Sequence, residues 1–249
     1  MSFDSPSAPT PISSPSAENT DRIAGMRQIC EAIPPTVRVM AVTKTVPPDR
    51  VRLAYAAGIR DFGENRIQEA IPKQAALADL EDVTWHFIGR LQSNKARKAV
   101  EHFDWIHSVD SLKLAERLHN VGDSLDRSVT LSLQVKLRPD PNKGGWLKSE
   151  LWEALPSLKA YSRLQIKGLM IIPPANLATA EILKVFEEGA AFFRDLQHYA
   201  RDQSSTIFNL QHLSMGMSGD YQYAIENGST MVRLGSCLFG DRPPVASPL

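Results

Sequence analysis

The sequence has few cysteines, no excess of charge and no long apolar run. Its only two cysteines, Cys30 and Cys237, lie far apart and form no C-x-x-C pair, so neither a disulfide framework nor a zinc site is expected. Basic and acidic residues number 28 each, and such a balance gives no overall field that attracts nucleic acid or an anionic membrane. No apolar stretch reaches transmembrane length, and the start does not resemble a signal peptide. We therefore expect a reduced, cytoplasmic protein.

Both ends of the chain differ in composition from the rest. Residues 1–18 are rich in serine, proline and alanine, which predicts a disordered N-terminal tail. Residues 242–249 look like a second, short tail. The segment between them, residues 19–241, is predicted to be one domain, because a chain of about this size can bury its own core without a disulfide or a metal.

Between the tails, short β-rich runs alternate with helical patterns, as in a parallel sheet built from βαβ units. The spacing of apolar residues predicts a long helix over 177–201, and a further helix near 21–33 precedes the first strand. Eight strands with intervening helices favour an α/β fold, a single (β/α)₈ TIM-type barrel with an extra N-terminal helix, over an open sheet. The strands are predicted near 37–44, 60–63, 84–89, 104–109, 129–136, 165–172, 207–214 and 231–235.

In such a barrel the active site lies at the carboxyl ends of the strands. The first predicted strand ends in AVTK, which places Lys44 at the barrel mouth. Partial burial there would lower the pKa of its amine, as a Schiff-base lysine requires. The alternative is a strand-end lysine whose amine simply reaches water.

The loops after strands 7 and 8 commonly hold phosphate in this fold. After strand 7 the sequence reads SMGMSGD, where Ser218 is a natural N-cap for the next helix. After strand 8, Gly235 leaves the backbone N–H of Ser236 accessible, and the Ser236 hydroxyl adds a second donor. Both loops therefore have the chemistry of a phosphate site, although Ser218 and Asp220 could instead only cap a helix.

Three further polar residues are candidates for roles in or near the barrel. Arg233 lies between apolar neighbours on strand 8 and needs an acceptor, either a ligand's ring nitrogen or an internal carboxylate. Asn65 is predicted in the first turn of the helix after strand 2, where its amide could touch a ligand hydroxyl. His86, between Trp85 and Phe87, is more typical of a hydrogen-bonded core histidine than of a catalytic one. Ile88 and Gly89 could form an apolar wall against a flat ring.

Together these features describe one cofactor, pyridoxal 5′-phosphate (PLP). Its aldehyde would form a Schiff base with Lys44, its phosphate would lie at Ser218 and the Gly235–Ser236 turn, and its pyridine nitrogen would face Arg233.

The sequence also resembles the YggS/PROSC family of PLP-homeostasis proteins, called PLPBP in animals. The segments that carry the resemblance occur in the family's order across the domain: AVTK (41–44), FGENRIQEA (62–70), WHFIGRLQSNK (85–95), GLM (168–170), LSMGMSGDYQYAI (213–225) and VRLGSCLFG (232–240). The stretch LQVKLRPDPNKGGW is similar to cyanobacterial members such as PipY. Residues 136–145 depart from the commonest family pattern, and we assign that loop no shared role.

The resemblance implies the fold of the N-terminal domain of alanine racemase, that is, PLP fold type III. It implies that Lys44 carries PLP, that Ser218, Gly235 and Ser236 contact the phosphate, and that Arg233 faces the pyridine nitrogen. Asn65 and Ser214 match positions that line the pocket.

Two features bear on catalysis. An arginine facing the pyridine nitrogen should leave that nitrogen unprotonated, which makes PLP a poorer electron sink that suits racemase-like chemistry at best. The chain also ends soon after strand 8, whereas the fold type III enzymes carry a further β-domain that supplies a second base and a dimer contact. We therefore expect a monomeric regulator that stores or delivers PLP, with apo PLP-enzymes as recipients. The alternatives are a small PLP-dependent amino-acid racemase and a Schiff-base aldolase that needs no cofactor.

Overall fold

The computed structural model describes residues 16–140, 143–203 and 206–240. They form a closed barrel of eight parallel strands in sequential order. The strands are β1 (Arg38–Val42), β2 (Asp61–Glu64), β3 (Thr84–Phe87), β4 (Trp105–Val109), β5 (Val129–Val135), β6 (Leu164–Ile171), β7 (Phe208–Met217) and β8 (Met231–Leu234). The predicted barrel is confirmed, and all eight predicted strands are present.

Pairing of the first strand with the last closes the barrel. β1 and β8 run parallel, with Arg38 opposite Met231 and Ala41 opposite Leu234. β1 also pairs with β2, where Val42 lies opposite Gly63. Residues that are almost 200 positions apart in sequence therefore meet at one edge of the barrel mouth.

Helices surround the barrel in the order that the sequence patterns predict. They are α1 (Ala17–Glu31), α2 (Pro48–Ala56), α3 (Ile67–Ala76), α4 (Ala96–His102), α5 (Leu112–Ser124), α6 (Lys148–Leu158), α7 (Thr179–Asp202), α8 (Tyr221–Glu226) and α9 (Ser236–Phe239). A short 3₁₀ turn, Ser93–Lys95, precedes α4. Both helices predicted by residue range are confirmed, as α1 and α7.

The first helix begins earlier than predicted. Ala17 and Glu18, which we assigned to the N-terminal tail, belong to α1 because the Ser16 hydroxyl accepts a hydrogen bond from the Asn19 backbone (3.3 Å) and caps the helix. The other residues of both predicted tails, 1–15 and 242–249, lie outside the described residues.

Helices α5 and α7 show how apolar helix faces cover the barrel. In α7, Phe186, Ala190, Phe193 and Leu196 recur at helical spacing and are buried, as the periodicity predicts. In α5 the Ser111 hydroxyl accepts a hydrogen bond from the Leu114 backbone, and Leu114 and Leu118 pack into the core. No helix in the described ranges is both long enough and apolar enough to cross a membrane.

A chain of polar side chains crosses the barrel interior. The fully buried His86 lies 2.7 Å, through Nε2, from Asp61 Oδ1 and 2.9 Å, through Nδ1, from His107 Nε2. If Asp61 is ionised, His86 donates to it and accepts from His107, which leaves His107 Nδ1 as a buried acceptor without a partner among the described residues. His86 is therefore a hydrogen-bonded core histidine, as expected.

Burial lowers the pKa of His86 and lowers that of His107 well below its usual value, and nearby positive groups add to the second shift. Both side chains are neutral in the folded protein near neutral pH. The unfolded chain binds protons that the folded chain does not, once the pH falls below about 6.5. The free energy of unfolding should therefore decrease as the pH falls through this range.

We predict that His107→Gln, which can still donate to His86, makes the unfolding free energy less dependent on pH. Between pH 6.5 and pH 5 the wild type should lose up to about 2 kcal/mol more than the variant, as measured by urea denaturation. His198→Gln at an exposed position of α7 is the control and should follow the wild type. Equal pH dependence in all three proteins would contradict the assignment.

Candidate functional site

Six of the seven predicted site residues line one cavity at the carboxyl ends of the strands. The cavity has a volume of about 580 Å³, and the six residues are Lys44, Asn65, Ser218, Arg233, Gly235 and Ser236. The seventh, Ser214, is buried in β7 and contacts the cavity through Arg233. The fold therefore brings all seven predicted residues together, from the ends of four strands.

Lys44 lies in the turn that follows β1. The strand ends at Val42, two residues earlier than predicted, although the Thr43 backbone still donates to the Gly63 carbonyl at 2.9 Å. The turn begins at Lys44 because Val46 N–H donates back to the Thr43 carbonyl, and Thr45 adopts a left-handed conformation with φ of 61°. Lys44 is half-buried at the edge of the cavity.

Arg233 lies at the base of the cavity and is 3% exposed. Its Nη1 donates to the Ser214 carbonyl (2.8 Å) and to Ser214 Oγ (2.6 Å), and its Nη2 donates to the Ile171 carbonyl (2.9 Å). The internal salt bridge that the sequence left open is not found among the ion pairs of the described residues. Burial lowers the pKa of Arg233 to about 10, so the guanidinium stays charged at neutral pH.

The loops after β7 and β8 meet at the other end of the cavity. Ser218 was predicted to cap the helix after β7, and this prediction is wrong, because that helix begins at Tyr221 after Asp220. Ser218 Oγ instead accepts hydrogen bonds from the backbone N–H groups of Gly235 (3.0 Å) and Cys237 (3.3 Å). The Ser218 hydroxyl thus ties the two predicted phosphate loops together.

Gly216 allows β7 to lead into this loop. Its φ is 92°, and a Cβ at this position would lie 2.6 Å from the Ala224 side chain of α8. Only glycine adopts this conformation without strain and leaves room for α8. The tight packing holds the loop that carries Ser218.

The loops after β2 and β3 form the remaining wall. We predicted that Asn65 lies in the first turn of a helix. This prediction is wrong, because Arg66 occupies the N-cap position and α3 begins at Ile67. Asn65 Oδ1 is buried and has no partner among the described residues. Gly89 packs against the Asn65 backbone so closely that a Cβ would lie 2.1 Å from its carbonyl oxygen. Ile88 and Gly89 both line the cavity, as expected.

Several lining residues escaped the sequence reasoning. They are mostly apolar, and their side chains carry no chemistry that could single them out. Position at a strand end was the available signal, since Met170 and Ile172 are alternate residues at the end of β6. The full set of missed lining residues is Val42, Met170, Ile172, Met217 and Gly219.

The residues of the cavity fit PLP. A half-buried lysine lies at its edge, a buried arginine bonded only to uncharged acceptors lies at its base, and hydroxyl and backbone N–H groups meet at one end. Apolar side chains of Val42, Ile88 and Met170 lie between them. The buried and unpartnered Asn65 Oδ1 can accept a hydrogen bond from a ligand hydroxyl. This set suits a flat ring with an aldehyde, a hydroxyl, a ring nitrogen and an anionic group.

Comparison with known proteins agrees with this chemistry. The family described as the alanine racemase N-terminal domain matches residues 21–243. A pyridoxal phosphate homeostasis protein of Synechocystis is 50% identical over 86% of this chain and 96% of its own length. The protein of the same name from Escherichia coli K12 is 35% identical over 91% of this chain and 94% of its own length.

Solved structures show the same relationship. PipY of Synechococcus elongatus, with PLP bound, superposes with a TM-score of 0.81 at 49% identity and covers 88% of this chain and 100% of that chain. An alanine racemase of Streptomyces coelicolor shares the fold, with a TM-score of 0.69 at 20% identity over 90% of this chain and 59% of that chain. The chain belongs to the family of pyridoxal phosphate homeostasis proteins, which is built on the alanine racemase N-terminal domain.

Proposed function

We propose that this protein holds PLP covalently on Lys44 and acts in PLP (vitamin B6) and amino-acid homeostasis rather than as an enzyme. The observation that carries the proposal is the single cavity that contains Lys44, Arg233 and the Ser218–Gly235 contact. The names of the relatives and the PLP bound to PipY support it.

Each end of the cavity has a distinct role in the proposal. Lys44 would supply the amine that condenses with the aldehyde of PLP, with the loss of one water molecule. The Ser218 and Ser236 hydroxyls and the Ser236 backbone N–H hold the phosphate beside Gly235, and Asn65 accepts from the ring hydroxyl. Arg233, fixed by Ser214 and the Ile171 carbonyl, donates toward the ring nitrogen.

The charge of Arg233 limits the chemistry of a bound PLP to racemase-like reactions at best. PLP can act as an electron sink when bound, most strongly when its ring nitrogen is protonated. A guanidinium with a pKa of about 10 remains a donor at neutral pH, so it cannot supply the negative charge that would stabilise a protonated ring. A ring nitrogen held against Arg233 would therefore stay unprotonated.

The lining of the cavity, in contrast, disfavours racemase chemistry. Among the described residues that line it, only Lys44 and Arg233 are titratable. Inversion at a carbon atom needs a base on one face and an acid on the other. Arg233 is held by its backbone and hydroxyl acceptors at the base, so the described lining offers Lys44 alone for proton transfer.

The phosphate end of the cavity faces solvent. Ser236, Gly219 and Met217 are exposed, whereas Arg233 and Ser214 at the base are buried. A ligand held here has a buried ring and an accessible anionic end. This suits a protein that loads and releases PLP, with apo PLP-enzymes as proposed recipients.

The proposal includes a monomer in the cytoplasm that interacts with neither nucleic acid nor membranes. The balance of 28 basic and 28 acidic residues supports the last two points, because it provides no overall attraction to anionic polymers or surfaces.

We predict that Lys44→Ala abolishes the visible absorbance band that PLP gives when its aldehyde is linked to an amine. The variant should keep its fold and weak non-covalent binding through the phosphate loops. Lys148→Ala, which breaks a surface ion pair with Glu188, is the matched control and should keep the band. A wild type without the band, in the presence of PLP, would support the cofactor-free aldolase instead.

We also predict that the loaded protein activates an apo PLP-enzyme and does not racemise amino acids. The activity of the apo-enzyme is measured after it is mixed with the loaded protein, and free PLP at equal concentration is the comparison. Chiral chromatography measures whether the loaded protein converts a panel of L-amino acids to their D-enantiomers. Sustained racemisation that is lost in Lys44→Ala would overturn the homeostasis proposal in favour of the racemase.

A further inference from the structure

We propose that a buried ion pair, Glu64 with Lys73, positions Lys44 for its covalent linkage to PLP. This inference rests on the proposed function and adds two positioning residues to it. Neither residue lines the cavity.

The pair lies between the barrel and α3. Glu64 is the last residue of β2 and is fully buried, and Lys73 on α3 is 7% exposed. Lys73 Nζ donates to Glu64 Oε1 and also to the backbone carbonyl of Thr43. The ammonium group therefore links the end of β2 to the residue just before Lys44.

Thr43 is held through each of its polar groups. Its hydroxyl donates to Glu64 Oε1 at 2.7 Å, and its N–H donates to the Gly63 carbonyl at 2.9 Å. Its carbonyl accepts from Lys73 Nζ and from the Val46 N–H. Because that carbonyl belongs to the peptide joining Thr43 to Lys44, these contacts fix the direction in which the Lys44 side chain leaves the backbone.

The backbone on the other side of Lys44 is in a rare conformation. Thr45 has φ of 61°, and its hydroxyl donates to the Lys44 carbonyl at 2.6 Å. A non-glycine residue stays in this region only when its surroundings require it. Lys44 therefore sits between a fully bonded residue and a strained one, and releasing Thr43 would allow the turn to relax.

The contribution of a buried ion pair to the free energy of unfolding does not by itself explain its presence here. Both charges are removed from water, and Glu64 Oε2 is buried without a partner among the described residues. Apolar residues of similar volume are often as stabilising as a buried ion pair. Apolar residues, however, cannot donate to the Thr43 carbonyl or accept from the Thr43 hydroxyl. This difference accounts for charged groups at this place.

The test separates positioning from simple anchoring of α3. The double variant Glu64→Met with Lys73→Met removes both charges at similar volume, so neither is left buried alone. Urea denaturation measures its stability, and titration with PLP, followed by the visible band, measures the covalent linkage. The control replaces Arg97 and Glu101, an ion pair within α4 outside the cavity lining, by methionine.

We expect the double variant to fold but to form the linkage about 10- to 100-fold less favourably, because a displaced reacting group loses its alignment. The control should match the wild type. In a Lys44→Ala background, where no linkage forms, adding the double substitution should leave the non-covalent affinity for PLP unchanged. Wild-type linkage in a folded double variant, or an equal loss in the Lys44→Ala background, would overturn positioning.

If the double variant does not fold, a second pair of variants tests whether the buried contacts position Lys44. Thr43→Val keeps the shape of the buried side chain but removes its bond to Glu64, whereas Thr43→Ser keeps the hydroxyl. Positioning predicts weakened linkage in Thr43→Val and near-normal linkage in Thr43→Ser, and equal linkage in both would contradict it. Absence of the visible band in the wild type itself would instead count against the proposed function.

Discussion

The pairing of β1 with β8 is the constraint on which the site depends. Lys44 follows the first strand and Arg233 lies in the last, and the register that sets Met40 opposite Arg233 brings both to the same mouth. Nothing in the local sequence of either strand could unite them. The amphipathic helices that cover the outer face of the barrel stabilise this closure and so hold the two residues in place.

Closure alone would not make a cation tolerable inside the barrel. Arg233 is buried among strands, and its charge is stabilised by two backbone carbonyls and the Ser214 hydroxyl rather than by a carboxylate. Uncharged acceptors leave the guanidinium's positive charge unneutralised and directed at the cavity. Two strands from β8, at the end of β2, the Glu64–Lys73 pair is satisfied at Oε1 and acts on the backbone before Lys44. The base of the cavity is thus buried and charged, while the end formed by the loops after β7 and β8 is open to solvent.

The sequence was enough to predict much of this arrangement, because strand ends in a closed barrel converge on one face. Lys44, Arg233, Ser218 and Gly235 carry distinctive chemistry at such ends, and the structure places them around one cavity. The predictions failed where tertiary contacts decide. The Ser218 hydroxyl turns to the backbone of the β8 loop instead of its own helix, and Asn65 stays outside α3 because Arg66 takes the cap position.

Other features could not have been predicted from residue types at all. The Ile171 carbonyl that accepts from Arg233 is a backbone group, which any residue would supply. The contact of Lys73 with Thr43 joins residues 30 positions apart across a helix and a strand. Its sequence signal, a lysine on an otherwise ordinary helix, is the same as that of a solvent-exposed residue.

The proposed covalent linkage of PLP to Lys44 can be located directly. Borohydride reduction of the PLP-loaded protein converts the linkage into a stable secondary amine, and mass spectrometry of tryptic peptides then locates it. We predict that the phosphopyridoxyl group is found on the peptide containing Lys44, in about one copy per chain at saturation. Modification spread over other lysines, or an unmodified Lys44 peptide in loaded protein, would contradict the account.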